Sequence, residues 1–455
     1  MVRGPDGVSA DDTSSAADDR IAGPERFRRA VTLLGERVPP GPFRPSFWRS
    51  PLRGPWLTAV LGLVLLVGVT IVFLTGVLSW VAYNPGLPGN DPTAGTEWLG
   101  AHVFGWPTRP AWLFRATQGV HVTLGLVLIP VLLGKLWSVL PKLFAWPPVR
   151  SPAQALERMS LLLLVGGALF EFVTGVLNIQ YWYVFPGSFY QLHFYGAWVF
   201  IAAFVLHVCL KLGRMRGALR GRLSREELRA PTAATVPEPP DPEGLVSPAS
   251  SAASLSRRGV LGLVGGGAVV MLASTVGQSI GGPLRSTAVL APRGQEPGTG
   301  PNGFQINKTA AAAGVGPQET GSGWRLEVHG ASGPVSLSRA DLLALPQHTA
   351  LLPIACVEGW STEDQSWTGV RLRDLARISG RSTPSSVLVE SLQKEGQFAA
   401  TRLRGNQVLD GDSLLALMVN GVDLSLDHGY PARVIVPANP GVHNTKWVAR
   451  MTFEG

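Results

Sequence analysis

Three histidines, His121, His193 and His207, lie inside long apolar stretches, where an ionisable side chain is expensive and usually functional. His193 and His207 are 14 residues apart. On a helix that spacing leaves both side chains within about 40° of one face and about 21 Å apart along the axis, which suits ligands for two haems stacked across a bilayer. His121 follows Arg115 by six residues and His193 follows Gly187 by six, so each lies about 9 Å below the start of its apolar run. If the two helices cross a membrane in the same sense, His121 and His193 are expected at equal depth as the axial pair of one haem b. The residue 14 places after His121 is Lys135, an ammonium that cannot ligate iron unless it loses its proton. His207 is therefore a further haem ligand without an evident histidine partner. Glu171, in Phe170-Glu171-Phe172, must be paired, protonated or facing a cavity. It is expected near the His121–His193 pair, either taking protons from a quinol or bonding to Arg115, a haem propionate or a neighbouring helix. His102 reads as a loop histidine.

A second centre of chemistry surrounds Cys356, in Leu352-Pro353-Ile354-Ala355-Cys356-Val357-Glu358-Gly359-Trp360-Ser361. An apolar, strand-like run delivers the thiol to a turn. One cysteine cannot build a zinc or iron–sulfur site, but one thiolate completed by a sulfur-bearing cofactor can hold a single metal. Further on, Asp427-His428-Gly429-Tyr430-Pro431-Ala432-Arg433 and Gly441-Val442-His443-Asn444-Thr445-Lys446-Trp447 bring cationic and hydrogen-bonding groups suited to a phosphate-bearing pterin. The other cysteine, Cys209, reads as a packing or lipid-facing residue, so a disulfide framework is excluded.

The elements that must carry these groups follow from composition. Of the 455 residues 45% are hydrophobic and 15% charged, and the apolar ones concentrate in stretches of bilayer length. Five are expected to be helical spans: Trp56–Tyr83, Ala116–Leu140, Met159–Ile179, Phe189–Leu212 and Gly259–Ile280. Aromatics such as Trp56, Trp80, Tyr83, Trp112, Trp146, Trp182 and Tyr183 mark their ends. The net charge of +8 comes largely from arginines beside the spans, so it reads as a topology signal and not as a nucleic-acid surface. Arg26, Arg28, Arg29, Arg37, Arg44, Arg49 and Arg53 precede the first span, Lys135, Lys142, Arg150 and Arg158 fill the second loop, and Lys211 to Arg229 follow the fourth. The first loop has Asp91, Glu97 and Arg109, and the third, 180–187, has no charge. The expected protein is multi-pass in the cytoplasmic membrane, with its N-terminus cytoplasmic and membrane lipid as a partner.

The expected order is a disordered cytoplasmic tail (1–54), a four-helix haem b membrane domain (55–215), a flexible cytoplasmic linker (216–257), a fifth span (258–284) and an extracytoplasmic catalytic domain (285–455). The fifth span opens Ser256-Arg257-Arg258-Gly259-Val260-Leu261 and continues through Gly265, Gly266, Gly267 and Ala268. It reads either as a twin-arginine-like export signal or as an ordinary span. In the last domain, strands are expected at 324–329, 386–391 and 432–437 and helices at 341–345 and 371–378, an α+β, β-rich fold.

Two resemblances sharpen this reading. Residues 55–215 resemble the dihaem cytochrome b family in His121, His193 and His207, with Lys135 departing from its pattern. CVEGWS, DHGYPARVIVP and HNTKW, in that order, closely resemble the sulfite oxidase-fold molybdopterin oxidoreductases over about 300–455, and most of all the bacterial periplasmic protein-methionine-sulfoxide reductase catalytic subunit and its relatives. The resemblance implies that Cys356 ligates molybdenum, that Glu358 approaches the metal and that His428, Arg433 and Lys446 hold the pterin and its phosphate. Phe304-Gln305-Ile306-Asn307-Lys308 resembles the family's N-terminal cofactor segment, with Asn307 the contact. It further implies oxygen-atom transfer on a small-molecule substrate, reduction of an S-oxide or N-oxide being favoured, with electrons exchanged with quinone or another carrier. The alternatives are a sulfite-type oxidase passing electrons to haem b, and a membrane electron-transfer cytochrome without turnover. Sulfite is disfavoured by the neighbours of Cys356, Glu358 and Trp360, and by His443, which stands where the family commonly has arginine.

Overall fold

The computed structural model describes residues 38–83, 104–149, 151–184, 186–220, 228–295, 301–394 and 398–455. His102, Asp91, Glu97 and the arginines before residue 38 lie outside them. Among the described residues, five helical segments are long and apolar enough to cross a membrane. Four are continuous: α1 Pro55–Ala82, α2 Leu113–Leu143, α3 Pro152–Ile179 and α4 Phe189–Arg220. At 1.5 Å per residue, even the shortest exceeds a bilayer core of about 30 Å. The fifth candidate, Arg257–Ile280, is broken. Helix α5 covers Arg257–Ala273, and a separate turn of helix covers Gly277–Ile280. At the break the hydroxyls of Ser274 and Thr275 bond back to the carbonyls of Val270 and Met271 at 2.6 Å each, contacts that often bend helices.

The chain divides into two compact units, one of residues 1–59, 135–162 and 213–259, the other of residues 60–134, 163–212 and 260–455. Within the first, the Arg53 guanidinium lies 4.4 Å over the Trp137 ring and donates to the Trp137 carbonyl at 3.1 Å. Lys135 donates to the Thr58 carbonyl at 2.5 Å. Residues 38–54 form two short 3-10 turns, Gly41–Phe43 and Pro45–Phe47, whose Phe43 meets Phe144 and Trp146 edge to face. The segment expected as a flexible linker is packed where it is described. Glu238 is buried and accepts the Trp56 N–H at 3.0 Å. Arg257 is buried too, donating to the carbonyls of Val236 at 2.9 Å and Pro51 at 3.2 Å.

The second unit contains the C-terminal fold. Strand β1 (Arg325–His329) alternates buried and exposed positions, the pattern of a half-buried strand. It joins β2 (Val335–Ser338), β5 (Ser386–Ser391), β6 (Ala400–Arg404) and β10 (Val448–Glu454) in a sheet ordered β2-β1-β10-β5-β6. β1 and β10 run parallel, with Glu327 opposite Arg450. The second sheet holds β3 (His348–Leu352), β4 (Gln365–Arg371), β7 (Leu414–Val419) and β8 (Val422–Asp423), and β9 (Arg433–Ile435) pairs with β7. β7 reads LLALMV and is buried almost throughout, as a strand covered on both faces must be. Short helices at Arg339–Ala344 and Leu372–Ile378 fall within or beside the expected ranges. One apolar core gathers Leu326, Val328, Val387, Val389, Leu415 and Met451; another gathers Phe304, Trp367, Leu414 and Ile435. The cysteine turn and the pterin-type motifs emerge from the ends of these strands.

Candidate active site

Cys356 follows β3 by four residues and is 3% exposed. Its N–H donates to the Trp360 carbonyl at 2.9 Å, and Gly359 N–H donates to the Cys356 carbonyl at 3.0 Å. This closes a tight turn in which Gly359 takes φ +91°, a conformation that favours glycine. Ala355 is pinned on the other side by Gly441 N–H at 2.8 Å, so the two motifs meet. Burial first, then the charge of Glu358, push the Cys356 thiol well above its ordinary pKa. A thiolate there needs a cation. Glu358 is buried, its carboxyl is pushed up by burial, and its Oε2 has no hydrogen-bond partner among the described residues.

The basic groups lie behind this turn. Arg433, on β9, is 1% exposed. Its Nη1 donates to the His428 carbonyl at 3.3 Å, while Nε and Nη2 have no partner among the described residues. Burial works against its charge and the nearby Cys356 for it. Lys446 donates to the carbonyls of Asp427 at 2.7 Å and Lys308 at 2.8 Å, and burial lowers its pKa well below the ordinary value. His428 stacks on Phe304 with ring centroids 3.8 Å apart. Gly429, at φ +111°, sits where a Cβ would fall 3.1 Å from that of Lys446 and 3.2 Å from that of Arg433. Thr445 Oγ1 and Asn439 Nδ2 also lack partners among the described residues. Buried donors this numerous are satisfied in native proteins, so the pocket fits an anionic, acceptor-rich group such as a pterin phosphate. No cluster of three His, Cys, Asp or Glu side chains suited to a metal occurs among the described residues.

The structure brings Cys356, Glu358, Arg433 and Lys446 together, with His428 beside them. Asn307 enters through its backbone, its carbonyl accepting from Arg293 Nη1 at 2.5 Å. Arg293 was not foreseen. It stacks 3.9 Å over the Tyr181 ring, and its charge bears on Glu358. Tyr181 in turn accepts the Trp360 indole N–H at 3.0 Å. Neither residue belongs to a motif; their only sequence signals are the second arginine after the fifth apolar stretch and a tyrosine just past the third.

A second constellation lies among the helices. His121 on α2 and His193 on α4 have ring centroids 6.3 Å apart at 83°. His121 Nδ1 is 2.9 Å from the Val72 carbonyl. His193 Nδ1 is 3.0 Å from Glu171 Oε2 and 3.1 Å from Thr174 Oγ1. Both rings line one apolar cavity with Phe73, Gly125, Phe194 and Val357. Gly76 faces the first ring, where a Cβ would fall 3.0 Å from His121 Cε1, and Gly196 faces the carboxyl, where it would fall 2.2 Å from Glu171 Oε1. His207 is not among the residues lining this cavity.

Residues 313–455 match the family model of the oxidoreductase molybdopterin binding domain. The chain is 34% identical over 131 residues to the uncharacterized oxidoreductase YuiH of Bacillus subtilis, covering 29% of this chain and 65% of YuiH. It is 32% identical over 158 residues to the mitochondrial sulfite oxidase of Rattus norvegicus, covering 29% of each. It is 39% identical over 94 residues to a nitrate reductase [NAD(P)H] of Hordeum vulgare, covering 19% of this chain and 10% of that protein. The chain thus spans less than two thirds of each of these relatives. The C-terminal region is thus similar to molybdopterin-binding oxidoreductase domains, sulfite oxidase among them. Ahead of the matched region, the described residues include five helices of membrane-spanning length and composition.

Proposed function

We propose that the chain is a membrane-bound enzyme of oxygen-atom transfer whose molybdenum site lies outside the cytoplasm and exchanges electrons with quinone, or another carrier, through haem b. Reduction of a small S-oxide or N-oxide is the favoured direction. The observation that carries the haem half is the His121–His193 pair. A metal–imidazole bond of about 2.0 Å plus about 1.2 Å from nitrogen to ring centre, on both sides, gives about 6.4 Å between centroids, against 6.3 Å here. The opposite nitrogen of each ring is already held by a carbonyl or a carboxylate, the usual support for a metal-bound imidazole. Glycines at Gly76, Gly125 and Gly175 keep the cavity wall thin.

In the catalytic domain, Cys356 would ligate molybdenum, Glu358 would face it, and Arg433, Lys446, His428 and the 304–308 segment would hold the pterin. When bound, that cofactor supplies two-electron oxygen-atom exchange, and haem supplies one-electron steps. The chain's own part is positional. The cysteine turn would fix the thiolate, the buried carboxyl of Glu358 would face the bound cofactor, and Trp360 and Tyr181 would exclude water from one side.

A second reading, oxidation of a small anion such as sulfite with electrons passed to haem, is favoured by Arg293. It supplies beside Glu358 the cation that the motif itself lacks. Molybdenum and pyridine-haem analysis of purified protein tests the main proposal. One molybdenum and at least one b-type haem per chain is expected; a chain with molybdenum and no haem would reduce the helices to an anchor.

A further inference from the structure

Val357, next to the candidate molybdenum ligand, is also a wall residue of the histidine cavity. Its carbonyl accepts Gln118 Nε2 at 2.5 Å. Gln118 is 3% exposed and precedes His121 by three residues on α2, so the two share one helical face. Contact here is tight. A Cβ at Gly359 would fall 2.8 Å from Val122 Cβ. The turn is also held from another side, by Ser279 Oγ donating to the Gly359 carbonyl at 2.6 Å and Ser361 Oγ donating to the Ser279 carbonyl at 2.9 Å.

We propose that electrons pass between the two cofactor sites within this one chain along Cys356–Val357–Gln118–His121, with Gln118 as the positioning residue that joins the cysteine turn to the haem helix. The proposal rests on the molybdenum-and-haem reading above. With both cofactors bound, the route would carry two single electrons per turnover from the haem site to the molybdenum site. A quinol supplies both, so that quinol plus S-oxide gives quinone, thioether and water. The turn is held by Gln118, Ser279 and Val122, so transfer by this route needs no shuttling domain.

The test uses full-length protein in detergent. A flash-generated 5-deazariboflavin radical reduces the haem, and its reoxidation by molybdenum is followed at the haem band. Gln118→Met removes the donor at nearly constant volume; Gln118→Asn keeps an amide too short to reach Val357. Both are expected to retain the haem spectrum, haem midpoint potential and molybdenum content while slowing reoxidation roughly tenfold, the factor that about 1.4 kcal/mol in a barrier corresponds to. Wild-type rates in both variants would overturn the proposal. Loss of both cofactors in both variants would also overturn it, making Gln118 a structural tie. Wild-type protein lacking haem or molybdenum would instead sink the underlying reading, and the metal analysis shows that before any kinetics.

Discussion

The hydroxyl of Tyr181 accepts the indole N–H of Trp360 at 3.0 Å, tying the chain two residues beyond α3 to the turn that carries Cys356. Tyr181 reaches this position at φ +55°, an uncommon backbone state for a bulky residue, and carries Arg293 on its face. Tyr181→Phe leaves a buried indole donor unsatisfied, at a cost of about 1–3 kcal/mol. Both the thermal midpoint of the catalytic domain and turnover per bound molybdenum should fall. Unchanged values would make the contact incidental.

Replacing His121 or His193 by Ala is expected to abolish the b-type absorbance of the haem they would share, because each is half of one ligand pair. His207→Ala should leave that signal largely intact, since His207 does not line the cavity. Difference spectra of membranes carrying each variant decide it. Loss of all haem in the His207 variant alone would put the iron elsewhere.

Cys356→Ser should retain haem but show only background molybdenum-linked turnover. Serine fits the buried turn, and the two constellations use different side chains. Activity with several oxide substrates in this variant would refute the ligand assignment.

Arg433 keeps two guanidinium nitrogens without partners among the described residues, which penalises the cofactor-free protein. Arg433→Met should therefore stabilise cofactor-free protein by about 1–3 kcal/mol and sharply weaken cofactor retention. Denaturant unfolding of protein made without molybdenum measures the first, and molybdenum content under normal growth the second.

His443 is 1% exposed, and burial pulls its pKa down to about 3. In the unfolded chain it titrates near 6.5. Between these values the unfolded state holds the extra proton. Stability is full above pH 6.5 and falls by up to about 1.4 kcal/mol per unit as the pH drops toward 3. His443→Asn can still meet Thr401, which lies 3.1 Å from the ring nitrogen, yet cannot titrate. Its unfolding midpoint should depend less on pH between 6.5 and 4 than that of wild type.

The sequence made the helices legible because a bilayer's thickness demands long apolar runs, and helical rise alone placed His121 and His193 at one level. The strands of the catalytic domain were legible from alternation, as in Trp324–His329. Arg293, Tyr181 and Gln118 were not, because nothing local distinguishes them. Each matters through a partner 60 or more positions away, such as Tyr181 with Trp360 or Gln118 with Val357. The packed segment before Arg257 was missed for a related reason. Its Pro, Ala and Ser look like a linker, and tertiary contacts such as Glu238 with Trp56 and Val236 with Arg257 order it.

Arg257 is already engaged in the folded chain. Its guanidinium is spoken for by Pro51 and Val236, with the Glu238 carboxylate 3.9 Å away, while its neighbour Arg258 is exposed. A receptor that reads the arginine pair as an address would have to do so before residues 228–256 close over the first of them. Delivery and folding of that segment would then be a race, run once per molecule. The residue that directs the newborn chain would end as the clasp of the finished one.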